Sequence, residues 1–179
     1  MGKVYRLTTS LKNKDVKGLR VGDVVYFSGE LYTMRDMAHN RAIEFLRGKK
    51  RLPFNLLGKV VYHCGPIVNG GEVISAGPTT SMRMESMEPD LIRFSGLKGI
   101  IGKGGMGIHT CNALKKFGAV YLEYPGGVGA LAARNSKGVR ESYWKDLGDP
   151  EAVWVITIKD FGPCFVTMDA HGDTLRKLD

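Results

Sequence analysis

Short apolar runs alternate with polar ones along this chain, and their periods predict a mixture of strands and helices. Residues 4–9 and 24–28 read as strands, because Val, Tyr and Thr favour pleated backbone. The polar residues 12–17 connect them, and Gly18-Leu19-Arg20-Val21-Gly22-Asp23 reads as the turn before the second strand. With Thr33 as cap, Met34, Met37, Ala38, Ile43 and Leu46 predict a helix ending near Leu46. The basic loop Gly48-Lys49-Lys50-Arg51 and Pro53 separate it from an apolar strand over residues 59–64, which stops at Gly65-Pro66. Asn69-Gly70-Gly71 predicts a hairpin turn leading into a strand over residues 72–76.

The second half reads the same way. Residues 82–88 suit a short helix, and residues 91–101 read as extended. A glycine-rich stretch over 99–107 precedes a helix over 108–117. Residues 119–124 form an apolar strand closed by Pro125-Gly126-Gly127, and 128–134 an Ala-rich helical turn. Residues 141–144 suit either element. Residues 152–159 form a strand, which Gly162-Pro163 is expected to turn back into an antiparallel partner over 164–169. The tail from His171 is polar. No internal repeat or linker interrupts the pattern, which predicts one mixed α/β domain over residues 1–179.

Composition adds three constraints. No apolar run approaches the roughly 20 residues that span a bilayer, and the opening Met1-Gly2-Lys3-Val4-Tyr5-Arg6 has no apolar signal core, so a cytoplasmic protein with no membrane partner is expected. The net charge of +8 suits an anionic partner: nucleic acid, an acidic subunit or a small polyanion. Cys64, Cys111 and Cys164 are dispersed with no C-x-x-C pair, which predicts core residues rather than a zinc or redox site.

Candidate chemistry centres on Gly77-Pro78-Thr79-Thr80-Ser81-Met82-Arg83. It reads as a strand end, a tight turn and the first turn of a helix, where Pro78 is tolerated and Thr79 or Thr80 caps. Arg83 then stands over the threonines, and two hydroxyls, a guanidinium and free N–H groups make a seat for a carboxylate or phosphate. The plainer alternative is a simple cap. On the earlier helix, Arg35, Asp36 and His39 share one side at spacings of three and four; D-x-x-H alone is a weak metal signal, and no metal ligands are assigned. Lys103 is the charged tip of the glycine-rich stretch. Gly102, Gly104 and Gly107 spell G-x-G-x-x-G without the opening strand of a dinucleotide fold, and the Walker spacing is absent. Gly99-Ile100-Ile101-Gly102-Lys103-Gly104-Gly105 looks like the loop of a KH module, which would make the chain a single-stranded nucleic-acid-binding protein.

Three motifs together point elsewhere. Tyr32-Thr33-Met34-Arg35-Asp36-Met37-Ala38-His39-Asn40-Arg41, Gly77-Pro78-Thr79-Thr80-Ser81-Met82-Arg83-Met84 and Ile100-Ile101-Gly102-Lys103-Gly104-Gly105-Met106 resemble, in order and spacing, the β subunit of iron–sulfur hydro-lyases, the class I fumarases and L-tartrate dehydratases. The resemblance implies a swivelling β/β/α fold and an α-subunit partner, assembled as α2β2. It places a 4Fe-4S cluster on three of the α subunit's own cysteines, with its open iron acting as Lewis acid on the substrate hydroxyl. By the same resemblance Arg35, Arg83 and Lys103 bind the carboxylates of a dicarboxylate substrate, Thr79 is the catalytic base and Thr80 lies in the pocket. Asp36 and His39 stand behind Arg35 and orient it. Fumarate hydratase, serving the tricarboxylic acid cycle, is the first expectation, and L-tartrate dehydratase the alternative.

Overall fold

The structure, a computed structural model, describes residues 2–177. It is built around two long strands, β2 (Val24–Thr33) and β9 (Val153–Met168), which pair antiparallel from Val24 opposite Phe165 to Tyr32 opposite Val155. The other edge of β2 carries β1 (Val4–Thr8) along its first half and β3 (Val60–Tyr62) at its end, both parallel. From β3 the sheet continues in parallel through β6 (Gly99–Gly102) and β7 (Val120–Glu123), and β7 pairs antiparallel with the end of β9. The five strands β2, β3, β6, β7 and β9 therefore close into a mixed barrel. β8 (Ser136–Tyr143) extends β9 outside the ring.

The period-two alternation of strands explains how so small a barrel is filled. Val60, Tyr62, Ile101, Val120 and Leu122 point to one core, where the rings of Tyr62, Tyr124 and Phe161 pack with centroids 4.8–6.2 Å apart. Val61, Ile100 and Tyr121, the residues between, point to a second core under three helices. These are α2 (Asp36–Arg47), α3 (Glu88–Ser95) and α4 (Ile108–Phe117), which contribute Ala38, Ala42, Leu91, Ile92, Cys111 and Leu114. The central parallel strands are covered on both faces, so they read as unbroken apolar runs.

The predicted elements need five corrections. Residues 12–17 are not a plain connection: α1 (Asn13–Gly18) forms there, where the Asp15 carboxylate accepts the Lys12 N–H at 2.8 Å and Val16 alone is buried. Thr33 ends β2 and accepts the Trp154 N–H at 3.1 Å instead of capping, and α2 starts three residues later. In place of a helix over residues 82–88 there is a 3-10 turn, Ser81–Met84, with α3 beginning at Glu88, and residues 91–95 are helical rather than extended. Pro89 sits in the first turn of α3, where its missing N–H costs nothing, and left-handed Gly96 ends the helix. The ambiguous residues 141–143 belong to β8. Gly162-Pro163 does not reverse the chain: β9 runs through it, bending where β2 shifts register between Val25 and Gly29. A proline is tolerated in a strand at such an irregularity.

The hairpin β4 (Ile67–Asn69) with β5 (Glu72–Ser75), α4, and the helical turn α5 (Gly129–Arg134) form as expected. Among the described residues no helix is long and apolar enough to cross a membrane.

Candidate active site

The parallel strands β2, β3 and β6 end on the same side of the barrel, and the crevice outside such carboxyl ends is where α/β sheets place their ligands. Arg35 follows β2, His63 and Cys64 follow β3, and Lys103 follows β6. Residues 77–83 are laid across these ends by backbone bonds. Pro78 bridges to Cys64, the Thr79 N–H donates to the His63 carbonyl at 2.7 Å, and the Ser81 N–H donates to the Lys103 carbonyl at 3.0 Å. Three motifs far apart in the chain thus meet at one place.

Arg83 donates from Nη2 to the Thr79 hydroxyl at 2.7 Å and pairs with the Asp36 carboxylate at 3.0 Å. A guanidinium in this position lowers the cost of placing negative charge on the threonine oxygen. Thr80 and Lys103 are bridge partners, and both side chains are exposed. Thr80 makes no side-chain cap bond, and the helix behind it is a single 3-10 turn. The expected seat at a helix N-terminus is therefore not what this segment forms, which leaves side chains as the candidate anion ligands.

Arg35 is placed by different groups. Its Nε lies 3.4 Å from Glu151, whose other carboxylate oxygen accepts the Met37 N–H at 3.0 Å and so also holds the start of α2. Gly65 makes room for it: a Cβ there would come within 2.8 Å of Arg35 Nη1 and 2.7 Å of the Pro150 carbonyl. Asp36 pairs with Arg83 and not with the Arg35 side chain. His39 reaches the Arg35 backbone, with Nδ1 2.9 Å from its carbonyl oxygen.

Behind this surface lies a polar cluster that the sequence did not single out. Glu88 is fully buried, and its Oε2 stands 3.1 Å from His39 Nε2 and 3.0 Å from His63 Nε2. Burial works to raise the Glu88 pKa, but the charge of His39 and the hydrogen bonds from both rings outweigh it and hold the carboxyl at about 2. For His39, burial opposes protonation, yet the Glu88 charge raises its pKa overall. For His63 burial prevails and lowers it. His63 Nδ1, the Tyr121 hydroxyl and the Lys103 N–H all meet the Ser81 hydroxyl, at 2.9, 2.9 and 3.2 Å.

Gly102 is what lets this cluster close. A Cβ on Gly102 would fall 1.8 Å from Ser81 Oγ and 3.2 Å from His63 Nδ1. Gly102→Ala is expected to destabilise the fold by about 1–3 kcal/mol, the cost of overpacking a filled site. Calorimetry checks this, and an unchanged Tm would place Ser81 elsewhere.

His39, His63 and Glu88 are also the one group of three potential metal ligands that gathers among the described residues. Their ring nitrogens sit at hydrogen-bonding distance from the carboxylate. The three cysteines do not fit an iron–sulfur cluster: each is buried and free, and they do not gather. Burial pushes Cys64 up to about 12 and raises Cys111 and Cys164 as well.

The KH reading fails on geometry. Ile100 and Ile101 are buried in β6, and the following loop leads from a strand to a helix instead of joining two helices. The α4 N-terminus is filled by Glu85, which accepts the Gly107 and Thr110 N–H groups at 2.8 and 3.1 Å.

Comparison with known proteins agrees with the three motifs. A family model described as the fumarase C-terminus matches residues 3–178. The L(+)-tartrate dehydratase subunit beta of Escherichia coli K12 is 46% identical over 173 residues, covering 94% of this chain and 85% of its own. A Methanocaldococcus jannaschii protein provisionally given the same name is 46% identical over 170 residues, covering 92% of this chain and 87% of its own. A Geobacillus stearothermophilus protein provisionally named a class I fumarate hydratase is 38% identical over 180 residues, which span 98% of this chain but 34% of that protein.

Proposed function

Since this chain belongs to the fumarase C-terminus family, we propose that it is the β subunit of an L-tartrate dehydratase and supplies the substrate-gripping half of a shared active site. One observation carries the choice of substrate: the 46% identity to a tartrate dehydratase β subunit extends over 85% of that subunit. The likeness to the fumarate hydratase is lower, at 38%. Tartrate therefore displaces fumarate, the first expectation from sequence.

Dehydration of L-tartrate removes a hydroxyl from one carbon and a proton from its neighbour, giving the enol of oxaloacetate and water. The proton lost is adjacent to a carboxylate, so it is acidified when cations hold that carboxylate. Arg35, Arg83 and Lys103 are assigned to this grip, and Thr80 to the pocket wall. Thr79 takes the proton, with the Arg83 guanidinium at 2.7 Å stabilising its alkoxide. Asp36 fixes the orientation of Arg83. Among the described residues none is assigned to the departing hydroxyl; that task, together with the 4Fe-4S cluster, is given in this reading to an α subunit.

The test is reconstitution with the α chain, iron and sulfide under anaerobic conditions, followed by assay on L-tartrate, L-malate and fumarate. The expected kcat/KM for L-tartrate exceeds that for L-malate by roughly 10²-fold or more, since a site that hydrogen-bonds the second hydroxyl loses that contact with malate. A preference for malate would return the fumarase reading, and inactivity on all three would remove both.

A further inference from the structure

Hydrogen-bond accounting through the buried cluster gives each polar hydrogen one place. The Arg35 carbonyl can only accept, so His39 Nδ1 carries a proton; His39 Nε2 faces the Glu88 carboxylate and carries another. His39 is thus an imidazolium and Glu88 its carboxylate. On the other side, Tyr121 donates its hydroxyl proton to Ser81 Oγ at 2.9 Å. The Lys103 N–H takes the second acceptor site of that oxygen. Ser81 must then donate to His63 Nδ1, which leaves His63 neutral with its one proton on Nε2, directed at Glu88. A second imidazolium is disfavoured in any case, because the two rings lie 5.1 Å apart in a site with no solvent access. Two arms therefore end on a single oxygen, Glu88 Oε2.

The arms start at the two halves of the site. One begins at the Arg35 backbone, where β2 passes into α2. The other begins at Ser81, between Thr79-Thr80 and Arg83, and holds the backbone of Lys103. Glu88 itself is 0% exposed. A buried ion pair is poor evidence for stability, since apolar residues of like volume often do as well. What apolar residues cannot do is set the distance between two segments through directed bonds.

We propose that Glu88 is a positioning residue of the dicarboxylate site, tying Arg35 to the Thr79–Arg83 and Lys103 segments through His39 and His63. The proposal rests on the hydro-lyase reading above and extends it to residues that never meet substrate. It also accounts for Gly102, which is small so that Ser81 can approach His63.

The decisive variant is Glu88→Gln in the assembled α and β enzyme, compared with wild type by steady-state kinetics and by NMR of 15N-labelled histidine. In wild type at neutral pH, His39 is expected with both nitrogens protonated and His63 with Nε2 alone. In Glu88→Gln, His39 loses one proton and the KM for the hydroxy-dicarboxylate rises about tenfold as the carboxylate grip loosens. Meanwhile kcat falls by less than the roughly 10²-fold expected for loss of the Thr79 oxygen itself, since Thr79 keeps its backbone bond to His63. If Glu88→Gln does not assemble, Ser81→Ala cuts only the second arm; the same rise in KM is expected with His39 still doubly protonated. Unchanged KM in a variant whose histidine spectrum has altered overturns the positioning role. A singly protonated His39 in wild type, or a stoichiometric metal lost in Glu88→Gln, overturns the proton assignment. A wild-type pair inactive on every hydroxy-dicarboxylate, with the predicted spectrum intact, removes the hydro-lyase reading instead.

Discussion

Thr79→Ala is expected to lower kcat by about 10²–10⁴-fold while KM moves by less than about threefold, the signature of a lost proton acceptor in an otherwise intact site. Two features of the structure support so unequal a split. The backbone of Thr79 is pinned by its N–H to the His63 carbonyl, a bond that alanine keeps. Two of the three cations assigned to the carboxylates are elsewhere, Arg35 held by Glu151 and Lys103 following the end of β6, and Arg83 keeps its pair with Asp36. Truncating the side chain removes the oxygen that Arg83 contacts and little else. Steady-state kinetics on the reconstituted pair checks this. An unaltered kcat would take Thr79 out of the chemistry and leave it as a pocket residue.

Arg83→Lys should be the second large effect, with kcat/KM falling about 10²-fold, equivalent to about 2–3 kcal/mol of lost charge-assisted hydrogen bonding. Arginine here serves three partners at once: the Thr79 hydroxyl, the Asp36 carboxylate and, in the proposed complex, a substrate carboxylate. A lysine keeps the charge but not the planar fork that meets a carboxylate in two parallel bonds. Both constants are expected to change, since the guanidinium holds substrate and also stabilises the Thr79 alkoxide. Asp36→Asn makes an informative companion, predicted to be milder because it frees Arg83 without removing it. Should Arg83→Lys retain wild-type kcat/KM, a point charge would suffice and the bidentate grip would be wrong.

The motifs that proved informative in the sequence are local. Thr79, Thr80 and Arg83 lie within five residues, Arg35, Asp36 and His39 within another five, and their spacing alone suggests shared faces. The structure adds their partners, which no spacing reveals. Glu88 meets His39 across 49 residues and His63 across 25, and Glu151 meets Met37 across 114. In the sequence Glu88 reads as the last residue of a short helix, and nothing there marks it as buried. His63, read from sequence as a hydrogen-bonded strand residue, does hydrogen-bond, but as one arm of a cluster. Ser81 was inside the central motif, with nothing to distinguish its hydroxyl from those of the two threonines beside it.

By itself the sequence determined the alternation of apolar runs, and hence most of the strands and helices, because side-chain period is a property of neighbours. It also determined the inventory of cations and hydroxyls, whose order along the chain carried the family resemblance. Tertiary structure decided what those elements do together. Gly162-Pro163 has the composition of a turn, yet β9 continues through it, since pairing with β2, β7 and β8 along its length outweighs the local preference to reverse. The Ile-Ile-Gly stretch has the composition of an exposed loop, yet it is a buried barrel strand, because both its faces find apolar partners. Local preferences act over a few residues and amount to about 1 kcal/mol each, whereas strand pairing and burial are summed over the whole molecule, so the barrel settled both disputes.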